Sequence, residues 1–125
     1  MAHQNAEIFR KMTQAMVDGD MATVEASLAD DVEWHEIGRA EPIRGKAALA
    51  GREPGGAETD YDITYDIHDV LANDDHTIGL GEAVATRNGK TLKYRTAEIL
   101  HIKDGKVQAR WAFSDDTQRI IDFFK

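Results

Sequence analysis

An α+β fold is predicted by three features of the sequence. Apolar residues at helical spacing occupy the N-terminal part, strict two-residue alternation takes over from Tyr61, and Asn-Gly and Asp-Gly pairs punctuate the later half. With 125 residues and no linker, repeat or low-complexity segment, the chain reads as one domain spanning 1–125. That length buries roughly two thirds of the surface exposed by the unfolded chain, so no disulfide or metal staple is needed.

From Asn5 to Val17, Ile8, Phe9, Met12, Ala15 and Met16 recur every three or four residues and give a helix one face to bury. Gly19 ends that helix, and the Asp20 carboxylate is placed to accept from the free amides of a second one carrying Met21, Val24 and Leu28. Asp30-Asp31 opens an extended segment from Val32 to Ile37, and Pro42 and Gly45 frame a short helix around Lys46 to Leu49. The stretch from Gly51 to Thr59, with Pro54, Gly55 and Gly56, reads as a flexible loop and a lid or edge for a pocket. Turns at Asn73-Asp74-Asp75, Asn88-Gly89 and Asp104-Gly105 then divide the remainder into four antiparallel strands, and Thr117 to Phe124 forms a last helix able to close over them or contact a second copy.

Two-residue turns fix the pairing. Counting outward from Asn88-Gly89 sets Glu82 opposite Arg95, as a structural ion pair, and Leu80 opposite Ala97. The same count about Asp104-Gly105 sets Leu100 opposite Ala109, Glu98 opposite Trp111, Thr96 opposite Phe113 and Tyr94 opposite Asp115. Trp111, Phe113, Val107 and Leu100 then share an inner face with Glu98, whereas Lys93, Arg95, His101, Gln108 and Arg110 lie outside with Leu80, Val84 and Ile99. A bulge in either strand inverts part of that map. A carboxylate among such neighbours needs either a partner or a raised pKa, which makes Glu98 the chemical lead.

Composition narrows the partners. Fifteen Lys and Arg against 23 Asp and Glu leave a net charge of -8, which repels nucleic acid and anionic membranes and favours a neutral or cationic small molecule. The absence of cysteine excludes thiol nucleophiles and thiolate zinc sites and fits a cytoplasmic setting, and no apolar run reaches the ~20 residues of a membrane span. His3, His35, His68, His76 and His101 are scattered without metal-ligand spacing, so neither a metal nor another cofactor is expected. Alternation turns His35 to the face opposite Glu36 and Trp34, and a nearby indole would desolvate the Glu36 carboxylate.

The run Asp18-Gly19-Asp20-Met21, Ala29-Asp30-Asp31-Val32, Glu36, Glu41-Pro42, Gly45 and Ala47-Ala48-Leu49 resembles the steroid Δ-isomerase pattern, and Glu98 with Gly105-Lys106-Val107 continues it. The chain is thereby identified as a member of the nuclear transport factor 2-like superfamily, which holds ketosteroid isomerases and SnoaL-like polyketide cyclases. The resemblance implies a cone-shaped, cystatin-like fold in which N-terminal helices pack on a curved antiparallel sheet around a pocket. Glu36 falls on the family's proton-moving base and Glu98 on its oxyanion-hole acid; ketosteroid isomerase is itself a worked case of that division of labour. The family's helix tyrosine corresponds to Met12. Trp111-Ala112-Phe113-Ser114-Asp115 resembles the last strand of the cyclases, near whose end their general base lies, which makes Asp115 a base candidate, although Asp115-Asp116-Thr117 also reads as a helix cap. Met12, Trp34, Tyr65, Tyr94, Trp111 and Phe113 are the expected substrate-binding walls. The resemblance further implies a hydrophobic, ring-shaped carbonyl ligand, proton transfer of isomerase or cyclase type, and a homodimer. A non-catalytic binding module and an epoxide hydrolase remain open on the same fold.

Overall fold

The computed structural model describes residues 3–50 and 61–125. The expected loop from Gly51 to Thr59 lies outside the described residues.

Helix α1 (Gln4–Asp18) begins with His3 as its cap: Nδ1 accepts from the Asn5 N–H at 3.1 Å, while Nε2 lies 3.1 Å from Asp74 Oδ1. It ends at Gly19, whose φ of 75° is the left-handed turn that glycine adopts without a Cβ clash. Asp20 caps α2 (Met21–Ala26) by accepting from the Thr23 N–H at 3.2 Å. The second helix was expected to carry Leu28, but it stops earlier and Leu28 opens strand β1 (Leu28–His35). There the Val107 N–H donates to the Ser27 carbonyl at 2.8 Å, drawing the chain into the sheet while Leu28 buries its side chain in the core. After β2 (Ile43–Arg44) and α3 (Lys46–Ala50) come the long strands β3 (Asp62–Ala72), β4 (Thr77–Arg87), β5 (Lys90–Lys103) and β6 (Lys106–Ser114), then α4 (Thr117–Phe123).

The helices pack on one open six-stranded sheet in the order β2-β1-β6-β5-β4-β3. The expected antiparallel order holds from β3 to β6, but β1 runs parallel to β6, so the sheet is mixed. No hairpin links that pair; most of the chain separates them, leaving the strand direction free of turn geometry. Asn88 and Gly89 have φ of 53° and 77°, and Asp104 and Gly105 have 53° and 76°, the doubly left-handed turns that match strand twist. The β4–β5 register is the predicted one, with Glu82 opposite Arg95 and Leu80 opposite Ala97; the Glu82 carboxylate lies 3.6 Å from Lys93 Nζ.

The β5–β6 register departs from the count. Ile102 pairs with Val107 but His101 pairs with Ala109, so Gln108 is an extra residue, a β-bulge. Beyond it every partner is one residue further along than expected: Leu100 faces Arg110, Glu98 faces Ala112 and Thr96 faces Ser114. Arg110 therefore turns inward, and Trp111 and Phe113 turn outward.

The inner face carries two apolar clusters. Phe9, Met12, Val24, Leu28, Val32, Leu100 and Val107 join the helices to the middle of the sheet, and full burial of each large side chain contributes about 1.5–3 kcal/mol. Gly79 allows this contact, because a Cβ there would collide with the Phe9 ring. A second cluster, Ala83, Ala85, Leu92, Tyr94 and Ile120, holds α4 against the other end of the sheet.

Candidate functional site

A cavity of about 410 Å³ lies on the inner face. Trp34 and Glu36 reach it from the end of β1 and the turn that follows, Ile63 and Tyr65 from β3, Tyr94 from β5 and Arg110 from β6. Ile120, Ile121 and Phe124 bring α4 over it, and the Arg87 guanidinium holds that segment by donating to the Phe123 and Lys125 carbonyls at 3.1 and 2.6 Å. Gly38, at φ 82°, lies so close to Ile121 that a Cβ would stand 2.6 Å from its Cγ1.

The charged centre of the site is a buried pair. Arg110 Nε and Nη2 donate to Glu98 Oε1 at 2.9 and 2.6 Å, and Nη1 donates to the His35 carbonyl at 3.0 Å. The guanidinium also stacks over Trp34, 4.5 Å from the ring centroid. These bonds use three of its N–H groups, fewer than it carries, so donors remain for the cavity.

Two phenols complete the wall. Tyr65 is half-buried, and desolvation drives its pKa well above that of an ordinary phenol, against the opposing pull of Arg110. Tyr94 is pushed up to about 12, again chiefly by burial, with Arg110 opposing. Both are therefore neutral hydrogen-bond donors at any physiological pH, and among the described residues no side chain or backbone group hydrogen-bonds either hydroxyl. Glu36 lines the same cavity and lies 3.2 Å from Arg39 Nη1 at its margin.

Of the residues singled out in sequence, the cavity brings together Glu36, Trp34, Tyr65 and Tyr94, with Glu98 behind Arg110. Glu98 meets its need for a partner through an ion pair. Met12 is buried at 2 % exposure in the helix-side cluster and does not line the cavity. Trp111 and Phe113, expected as walls, point away from it because of the Gln108 bulge: Trp111 stacks on His35, and Phe113 is 53 % exposed. Asp115 is exposed beyond β6 and accepts from the Arg95 N–H at 3.2 Å, while Asp116 is the residue that caps α4, accepting from the Arg119 N–H at 3.1 Å. His35 lies on the outer face as alternation requires, 3.1 Å from Glu33. Sequence reasoning missed Arg110 by placing it outside; the available signal was the demand of a buried Glu98 for a cation. Among the described residues no group of three or more His, Asp or Glu is placed to hold a metal, and no helix is long and apolar enough to cross a membrane.

The sequence profile of the SnoaL-like domain matches residues 9–110. The chain belongs to the SnoaL-like family. Among curated proteins none matches it. Among solved structures, this SnoaL-like chain is similar to Bal32a from a soil-derived mobile gene cassette, with 27% identity, TM-score 0.83, and 98% and 97% of the two chains covered. An LEH-like epoxide hydrolase of M. tuberculosis shares the fold at 16% identity and TM-score 0.77, covering 95% of this chain and 87% of that one. IdmH of Streptomyces antibioticus, for which a polyketide cyclase role has been suggested, shares it at 19% identity and TM-score 0.75, covering 97% and 99%.

Proposed function

We propose that this SnoaL-like protein binds a hydrophobic, ring-shaped carbonyl compound and moves a proton on it, as an isomerase or cyclase without a cofactor. The observation that carries this reading is the meeting, on one largely apolar cavity, of Glu36, Arg110 and two neutral phenols, Tyr65 and Tyr94, whose hydroxyls no described residue hydrogen-bonds. Glu36 takes a proton from the carbon beside the carbonyl, and the C–H electron pair passes into the enolate oxygen. Arg110, Tyr65 and Tyr94 donate to that oxygen as its charge grows, a role in which each donor contributes about a hundredfold or more to rate. Protonated Glu36 then returns the proton at a second carbon of the conjugated system, which isomerises it. In the cyclase version the enolate carbon attacks a second carbonyl and the resulting alkoxide takes the proton.

This reading assigns Glu98 to hold Arg110 in place, in contrast to the oxyanion donor that the family pattern implies. Asp115 has no part in it. The protein acts in the cytoplasm as a homodimer formed through the outer sheet face. A second reading, a non-catalytic ligand carrier, is favoured by one observation: the Glu98 carboxylate is already committed to Arg110.

A two-ring phenol such as 2-naphthol, resembling the enolate, tests the site. Titration above the probe's own pKa, where it is the naphtholate, should show binding that weakens about tenfold or more in Tyr65→Phe and Tyr94→Phe, one hydrogen bond to a charged acceptor being lost each time. Glu36→Gln should leave that binding largely intact while abolishing exchange of the α-proton of a two-ring ketone such as 2-tetralone. Binding without any Glu36-dependent exchange would support the carrier; no binding by the wild type would remove both readings.

A further inference from the structure

The outer face of the sheet holds an arrangement that the cavity does not use. His35 stacks on Trp111 with ring centroids 5.1 Å apart and planes 13° from parallel; Trp111 meets His101 at 5.0 Å, and His101 meets His76 edge-on at 5.1 Å. This row of rings crosses β1, β6 and β5 to the start of β4. Around it lie Ile78, Leu80 and Ile99, half-buried, and Phe113 and Leu71 at 53 % and 52 % exposure. So continuous an apolar and aromatic surface is costly in water and calls for a cover.

Its charges fit a second copy of the same chain. Pairing places Asp62, Asp66 and Asp69 of β3 on this face with Glu82, whereas β5 presents Lys93, Arg95 and Lys103. A two-fold axis through the apolar centre sets the acidic β3 side of one copy against the basic β5 side of the other, as a self-complementary interface must.

The ends of the ring row differ in charge compensation. His35 Nε2 lies 3.1 Å from Glu33 Oε2, and Arg44 holds the other oxygen of Glu33 at 2.7 Å. Hydrogen bonding from His35, with help from Arg44 and against partial desolvation, keeps the Glu33 carboxyl below its ordinary range. At the other end His76 and His101 face each other; Lys103 shares their face, Asp75 adjoins His76, and Asp74 is taken by His3. We propose that two copies of the chain associate through this face and that the His76–His101 pair makes the association pH-sensitive, tight with both imidazoles neutral and weak once both are protonated. The proposal rests on the homodimer reading and adds its regulation. Imidazoles charge between about pH 5 and 8, and two like charges about 5 Å apart repel more strongly when a partner surface excludes water from them. Dissociation on acidification would also run against the general trend, since the net charge of -8 at pH 7 shrinks as protons bind and mutual repulsion falls.

Sedimentation velocity at about pH 8 and about pH 5.5 decides the matter. It compares the wild type, the double variant His76→Gln/His101→Gln and Phe113→Asp, with circular dichroism of each at both pH values. The wild type should be a dimer at the higher pH whose dissociation constant rises about tenfold or more at the lower, with secondary structure retained. The double variant should remain dimeric at both, and Phe113→Asp monomeric at both. A wild type that is monomeric throughout overturns the homodimer reading and the switch together. A dimer unaffected by pH overturns the switch alone, as does one whose low-pH dissociation persists in the double variant or accompanies unfolding.

Discussion

Arg110 and Glu98 are each 9 % exposed at the side chain, and neither could be buried alone at tolerable cost. Arg110→Met should therefore lower unfolding stability by about 3–5 kcal/mol, because it leaves the Glu98 carboxylate without its cation. Adding Glu98→Leu should restore most of the loss, since an apolar pair has no charge to desolvate. A double-mutant cycle in urea checks both statements, and additive losses would mean that the pair is not the coupled unit the geometry shows. The sequence made half of this legible. Apolar neighbours demanded that Glu98 be paired or protonated, but they did not identify the partner, because Arg110 counted as outward-facing. Tyr65 and Tyr94, expected as walls of the pocket, do line the cavity, because β3 up to Ile67 and the β4–β5 pair run without a bulge and keep the phase of alternation.

The reason for that asymmetry lies at the scale of the strand. A hairpin closed by Asn-Gly fixes both turn residues in left-handed conformation and propagates its register as far as the ladder remains regular, which in β4–β5 is all the way from Arg87↔Lys90 to Thr77↔Leu100. Asp104-Gly105 makes an equally good turn, yet its register survives only to Ile102↔Val107. Gln108 carries no glycine-like signature of a bulge. Its side chain makes only long contacts, 3.3 and 3.5 Å to the Lys106 and Lys103 carbonyls. The α2 boundary failed for a related reason: Leu28 fits the helical spacing and the strand equally well, and burial against β6 decides between them. Deleting Gln108 should thus be tolerated. Val107 and Ala109 would become neighbours in a regular ladder that still turns Arg110 inward, at a cost of about 1–2 kcal/mol from altered twist. Deleting Ala112, further along the same strand, would throw Phe113 and Ser114 out of phase and prevent stable folding. Thermal melts and ligand titration of the two deletions distinguish the cases; equal damage from both would contradict the bulge.

For the molecule as a whole, the cavity follows from having two apolar clusters on one sheet face instead of one continuous core. The cluster containing Phe9, Leu100 and Val107 ties α1, α2, β1, β5 and β6 together across long sequence separations, so its loss is a global event. The cluster containing Ile120 fastens a seven-residue helix at the end of the chain, with Arg87 as an added polar hold. Stability should be unequal between them. Leu100→Ala, at a fully buried position, should lower global stability by about 2–5 kcal/mol and accelerate hydrogen exchange throughout the strands. Ile120→Ala removes comparable apolar surface but should act locally. The Phe124 amide, which donates to the Ile120 carbonyl at 3.2 Å, should exchange faster along with the rest of α4, while β5 amides near Leu100 retain wild-type protection. Because Ile120, Ile121 and Phe124 also line the cavity, the same variant should lose ligand affinity out of proportion to its melting temperature. If Ile120→Ala instead accelerated exchange uniformly through β4, β5 and β6, the two clusters would be one cooperative unit, and α4 could not open over the cavity without unfolding the domain.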